Sequence, residues 1–183
     1  MDVRTRILDA ALALAAEAGL HALTQPRVSR AAGVRQSHLT YYFPTRAALL
    51  QAVALRSIES ASSPFGHRLA KRAAGRHTLA DRLADAILDH GRVRLLLGLV
   101  AAADSDVEIR HMMRRFIRAV RARLAELLRL AGLRADVATV AGLHALIVGN
   151  AALYLARDTP AARRETRAVL HAALERLKPL RGG

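Results

Sequence analysis

Apolar residues recur three and four positions apart along most of this chain, and no stretch alternates apolar with polar as a β-strand does. That periodicity restricts the chain to packed helices. Only 5 prolines and 11 glycines interrupt the 183 residues, too few for a turn-rich sheet protein. Helices are expected over 3–18, from Thr24–Pro26 to Gly33, over 36–42, and from Arg46 towards Ser60. Longer ones are expected over 79–90, 93–103, 107–131, 135–157 and 161–178. Residues 60–78 read as a loop with one short helix.

Composition removes several classes of function. There is no cysteine, so disulfides, thiol catalysis and Cys-ligated zinc are excluded. The N-terminus leads directly into an amphipathic segment carrying Asp9 and Glu17, so no signal peptide is expected. The longest apolar stretch, 137–156, carries His144, Asn150 and two glycines and is expected to be a buried helix, with no membrane partner. A cytoplasmic location follows by default. No Ser-His-Asp context, phosphate loop or paired apolar carboxylates are present, so the chain is not expected to be an enzyme. Glu108 and His111 lie one turn apart without a third ligand, so neither metal nor cofactor is expected.

Net charge is +14, which favours a polyanionic partner. Residues 1–46 hold six arginines and three acids, leaving +11 for the rest of the chain. With only two lysines and abundant alanine, the excess is compatible with simple genomic bias toward arginine.

The chain has three Tyr, three Phe and no Trp, and half of these six aromatics are consecutive: Tyr41, Tyr42 and Phe43. Neighbours on a helix point about 100° apart, so one side cannot bury all three. Phe43 shares a face with Leu39 and is expected inside, which sends Tyr41 and Tyr42 elsewhere. Two short helices meet at Gly33, and the second carries Gln36, Ser37, His38 and Thr40. A helix-turn-helix presents such groups to the major groove, while tyrosine hydroxyls reach phosphates. Gln36 and His38 are the leading base readers. Arg35 lies just before the helix, within reach of a guanine or a phosphate. Arg46 opens the next helix, where its charge and free N–H groups suit the DNA backbone.

Residues 5–50 resemble the DNA-binding domain of TetR-family regulators. The resemblance rests on ILDAA and the following L, AE and G of the first helix, AAGV at the turn, L-x-YYF at the end of the recognition helix, and a capped basic-x-x-LL opening of the fourth. It implies that Gln36, Ser37, His38 and Tyr41 enter the groove, and that Gln25, Arg27, Tyr42 and Arg46 serve the backbone. Two positions depart from the family pattern. Arg35 stands where a serine cap is usual, and Thr40 where tyrosine is common, so the operator sequence is not predictable.

Beyond residue 50 no motif is recognisable. The resemblance implies an all-helical, dimeric region with a ligand cavity. Ala138, Gly142, Ala145, Gly149 and Ala152 form a seam of small side chains. With Leu170, Leu174 and Leu177 of the last helix they are expected to form a two-fold four-helix interface. His144, Asn150 and Tyr154 lie away from that seam. With Arg94, Leu97, Met112 and Phe116 they are candidate linings of an effector pocket. So aliphatic a pocket would suit an apolar or lipid-like molecule, and Arg94 a carboxylate.

The expectation is therefore an all-α protein. An N-terminal three-helix helix-turn-helix domain over 1–46 reads double-stranded operator DNA. A helical domain over 47–183 binds a small-molecule effector and forms a homodimer. The alternatives are a basic protein that coats nucleic acid without selectivity, and a helical enzyme or binding protein whose N-terminal similarity is incidental.

Overall fold

The structure, a computed structural model, describes residues 2–62 and 75–180. Among these residues there are nine α-helices and no β-strand beyond one isolated bridge. They are α1 (Val3–Ala18), α2 (Gln25–Ala32), α3 (Gln36–Tyr42), α4 (Arg46–Ser62), α5 (Arg76–Ile87), α6 (His90–Ser105), α7 (Val107–Leu130), α8 (Val137–Arg157) and α9 (Pro160–Glu175). A 3-10 turn, Leu20–Ala22, follows α1. The short helix expected within 60–78 falls largely outside the described residues.

The chain forms two compact units. Unit 1 comprises Met1–Ser60 and Arg94–Arg115; unit 2 comprises Ala61–Val93 and Phe116–Gly183. These spatial units are drawn differently from the functional division at residue 46.

In unit 1, α1 packs on α2 and α3. Its inward stripe is Ile7, Leu8, Ala11 and Ala15, whereas Leu14 and Ala18 are only half-buried. The helix ends at Gly19, with φ 83° and ψ 170°. The positive φ is present, but ψ is extended, a combination essentially confined to glycine, and the chain turns at once into the 3-10 turn. Arg94 Nη1 donates to Ala16 O at 2.9 Å and also to Glu17 O, satisfying carbonyls left open at the C-terminus of α1. The inner side of α2 is Val28, Ser29 and Ala32, while Ala31 is exposed.

In unit 2, α5 packs on α8 and α9, and α8 packs on α9. Asp136 caps α8 by accepting from Thr139 N at 2.9 Å. That backbone hydrogen bond, with a further one from the Thr139 side chain, holds the Asp136 carboxyl below its ordinary range. Thr159 caps α9 by accepting from Ala162 N at 3.1 Å. The tail returns to the α7–α8 connection, where Arg134 N donates to Lys178 O at 2.9 Å and Leu180 N to Gly132 O at 2.8 Å.

Helix α8 overturns one expectation. It is long and apolar enough to span a membrane, yet only 28% of its most apolar window is buried within the chain. Its inner side is Val140, Leu143, Asn150, Ala151 and Tyr154. Opposite lie Ala138, Gly142, Ala145 and Gly149, all exposed, flanked by Val148 and Leu153. The 137–156 stretch is thus buried on one side only.

Candidate nucleic-acid interface

The site is α2, the turn after it, and α3. Gly33 ends α2 in the left-handed conformation, φ 62° and ψ 39°, which glycine adopts without steric cost. Val34 N donates back to Ser29 O at 3.0 Å, closing the turn. Arg6 locks it from α1: its Nη2 donates to Ala32 O at 2.8 Å and Gly33 O at 2.9 Å. Arg4 lies over the Phe43 ring, 5.6 Å from its centre.

Helix α3 is anchored by Leu39, fully buried, and by Phe43 just beyond its end, 3% exposed. Both were expected inside. Everything else on α3 faces outward or sideways. Tyr41 is 80% exposed and Tyr42 36%, their rings meeting edge to face at 5.1 Å. Gln36, Ser37 and His38 are exposed. Gln36 Nε2 donates to Gln25 Oε1 at 3.2 Å, so the first residues of α2 and α3 hold each other in place. Both amides keep further hydrogen-bonding capacity for a partner.

Two expected contacts are changed by local bonding. The Thr40 hydroxyl lies 3.1 Å from both Gln36 O and Ser37 O and donates its single proton inside its own helix. The Arg46 guanidinium donates to Leu20 O at 3.3 Å and Leu23 O at 3.4 Å, bracing the 3-10 turn. Its charge stays exposed at the start of α4, where Thr45 Oγ1 accepts from Ala48 N at 3.0 Å as the expected cap. Arg35 occupies the N-cap position of α3 with no side-chain cap bond, as its replacement of serine implied. The Arg27 and Arg35 side chains are exposed and make no hydrogen bond or ion pair among the described residues.

The candidate pocket residues fall in both units. Arg94, Leu97 and Met112 belong to unit 1; Phe116, His144, Asn150 and Tyr154 belong to unit 2. Arg94 Nη1 is engaged by the carbonyls at the end of α1. Asn150 Nδ2 donates to Thr166 O at 3.4 Å, and Thr166 Oγ1 to Asn150 Oδ1 at 3.5 Å, a buried α8–α9 tie. The Tyr154 ring stacks on His90 at 4.8 Å, and its hydroxyl accepts from Arg163 at 3.3 Å. His144 Nδ1 accepts from Arg121 Nε at 3.4 Å; burial and then the Arg121 charge hold its pKa below the ordinary value. Unit 1 has an open cleft of about 390 Å³ between Leu20, Arg46, Leu50, Asp106 and Ile109, and none of the expected pocket residues lines it.

The expected dimer set also divides. Leu170 and Leu174 are fully buried within unit 2, so they are core and have no surface to offer a second chain. Leu177 is half-buried. The α8 seam remains open: a Cβ built at Gly142 or Gly149 meets nothing within 4 Å. Arg6 was not anticipated. Nothing in the sequence separates it from Arg4 as one more N-terminal cation.

Residues 7–53 match the family model of bacterial regulatory proteins, tetR family. No curated protein sequence matches the chain. Among solved structures, a transcriptional regulator from Saccharomonospora viridis in complex with choline superposes with a TM-score of 0.82 at 19% identity, covering 96% of this chain and 97% of that one. A TetR-family transcriptional regulator from a Rhodococcus species gives 0.73 at 20% identity, covering 94% and 96%. The multidrug binding protein EbrR complexed with proflavin gives 0.66 at 25% identity, covering 94% and 99%. The fold is therefore shared with these structures over nearly the full length of each chain.

Proposed function

We propose that the chain, whose residues 7–53 match the tetR family of bacterial regulatory proteins, is a DNA-binding transcriptional regulator of that family and a ligand-responsive repressor that binds a specific operator as a homodimer. Regulators of this family are not enzymes. The observation that carries the reading is the outer side of α3. Gln36, Ser37, His38 and Tyr41 project from a helix whose inner side is anchored by Leu39 and Phe43. These are hydrogen-bonding groups held on a rigid element, as base readout requires. Gln25, Arg27, Arg35, Tyr42 and Arg46 serve the phosphates beside them; Thr40 serves the helix itself.

Homodimer formation is supported by the exposed apolar side of α8, because Val148, Leu153 and the Ala/Gly seam need cover. A second copy of α8 fits where no side chain stands in the way. Two recognition helices would then sit about 34–36 Å apart, one turn of DNA. Residues 1–46 carry the DNA contacts and 47–183 the regulation and pairing. The effector is a small molecule, as in the choline and proflavin complexes of similar proteins. The scarcity of aromatics favours an apolar or lipid-like one. Its binding would favour a dimer whose helices no longer match the groove spacing. The protein would work in the cytoplasm, where its DNA is.

A gel-shift titration on DNA flanking the gene, with excess competitor at near-physiological salt, tests the reading. A discrete complex that resists competitor and is lost with Gln36→Ala supports it. If no fragment, and no sequence selected from random DNA, resists competitor, the chain is instead a non-selective basic coat.

A further inference from the structure

Helices α5 and α9 bring together a group of side chains that operator binding does not use. Helix α5 supplies His77, Asp81 and Asp85 at successive turns, and α9 supplies Arg167 and His171 one turn apart. His77 Nδ1 lies 3.4 Å from His171 Nδ1, with the rings 5.5 Å apart and tilted by 32°. The other nitrogen of His171, Nε2, lies 2.9 Å from Asp81 Oδ1. Arg167 Nη2 donates to Asp85 Oδ1 at 2.6 Å, and its Nη1 is 3.6 Å from Asp81 Oδ1.

The protonation pattern follows from the partners. A carboxylate only accepts, so the proton of a neutral His171 sits on Nε2. Its Nδ1 lone pair therefore points at His77. A carboxylate behind a histidine is the arrangement that orients metal-binding imidazoles and raises their basicity. The spacing is informative too. Two nitrogens bound to one tetrahedral zinc, each about 2.0–2.1 Å from it, stand about 3.3–3.4 Å apart. Adjacent ligands of a square-planar ion would stand closer, about 2.8–2.9 Å. The observed 3.4 Å matches the tetrahedral case and lies at the long end for a hydrogen bond between two rings.

We propose that His77 and His171 form a two-histidine site for a tetrahedral divalent cation of the zinc type, with Asp81 positioning His171. On binding, the Nδ1 proton of His77 moves to its Nε2, so both rings remain neutral and both lone pairs reach the ion. Among the described residues no third His, Asp or Glu completes the set. Water or a small anion holds the remaining positions. Both rings are partly exposed, the His171 side chain by 28%, so ions reach the site from solution. The ion joins two helices whose paired residues are 94 positions apart.

Thermal unfolding of the full chain, without an affinity tag, tests this with Zn²⁺ and with Co²⁺ as a spectroscopic probe. Wild-type protein is expected to gain melting temperature with rising sub-millimolar Zn²⁺, and to give the visible bands of tetrahedral Co²⁺. His77→Ala and His171→Ala lose both signals. His77→Gln, which keeps a polar group in place, loses them as well and serves if the alanine variants fold poorly. Asp81→Asn weakens the affinity about 10- to 100-fold without abolishing it. No shift in the wild type, or an equal shift in the His77→Ala/His171→Ala double variant, overturns the proposal.

Discussion

Arg6 reads in two ways that a single substitution separates. It is a cation in a DNA-binding domain, where a phosphate contact is the ordinary assumption. In the structure its guanidinium instead donates to Ala32 O and Gly33 O, carbonyls at the end of α2 that have no helical partner. Arg6→Met keeps an apolar stem of similar reach and removes both bonds. Hydrogen bonds from a charged donor contribute about 1.5–3 kcal/mol each, but this pair is close to the surface, so we take about 1–2 kcal/mol for the two together. For a chain of this size that corresponds to a fall in Tm of about 3–6 °C. The assays are calorimetry and an operator titration across a range of salt. Operator affinity is expected to fall, because the turn that aims α3 loosens, while the slope of log affinity against log salt stays nearly unchanged. An unchanged Tm together with a slope reduced by about one would refute the reasoning, since that is the signature of a lost phosphate contact.

Other expectations follow from the same geometry. Tyr41→Ala removes a side chain that is 80% exposed, so Tm should hold while operator affinity drops tenfold or more, about 1–3 kcal/mol; a matching loss of Tm would make Tyr41 structural. Gly149→Leu meets open space within the protomer, so it should leave the fold intact and give monomers in sedimentation; an undisturbed dimer would move the interface off α8. The depressed pKa of His144 means the unfolded chain binds its proton first as pH falls below about 6.5. Stability should therefore decline from pH 7 to pH 5, and His144→Gln should flatten that slope in pH-dependent melting; an unaltered slope would assign the titration elsewhere.

Much of this architecture was legible because it is local. The ends of α1 and α2 follow from periodicity and from Gly19 and Gly33, which act within a turn of themselves. Leu39, Phe43 and the two tyrosines were separable because neighbours on a helix diverge by a fixed angle. The start of α5 was placed three residues late, since Gly75 opens it with no side-chain cap to mark the position. The end of α9 was placed three residues too far, because the tail leaves the helix to pair with Gly132 and Leu133. What escaped was every choice of distant partner. Arg94 reads as a pocket cation, and nothing local to it shows that it bonds the end of α1. Leu170 and Leu174 were assigned to an interface because leucines at that spacing suit any apolar contact. Only the packing of α5 shows that their side already faces inward. His77 and His171 are unremarkable apart and meet only through the α5–α9 contact.

The bareness of the α8 seam bears on how copies of such a chain choose one another. Gly142 and Gly149 offer backbone rather than knobs, so a partner helix on the proposed interface would come close but find little shape to recognise. Any helix with a similarly bare side satisfies the seam equally well. In a cell that makes several related regulators, fidelity of pairing must come from the flanks. Val148 and Leu153, rather than the conspicuous small residues, are where two lineages would diverge to stop exchanging subunits.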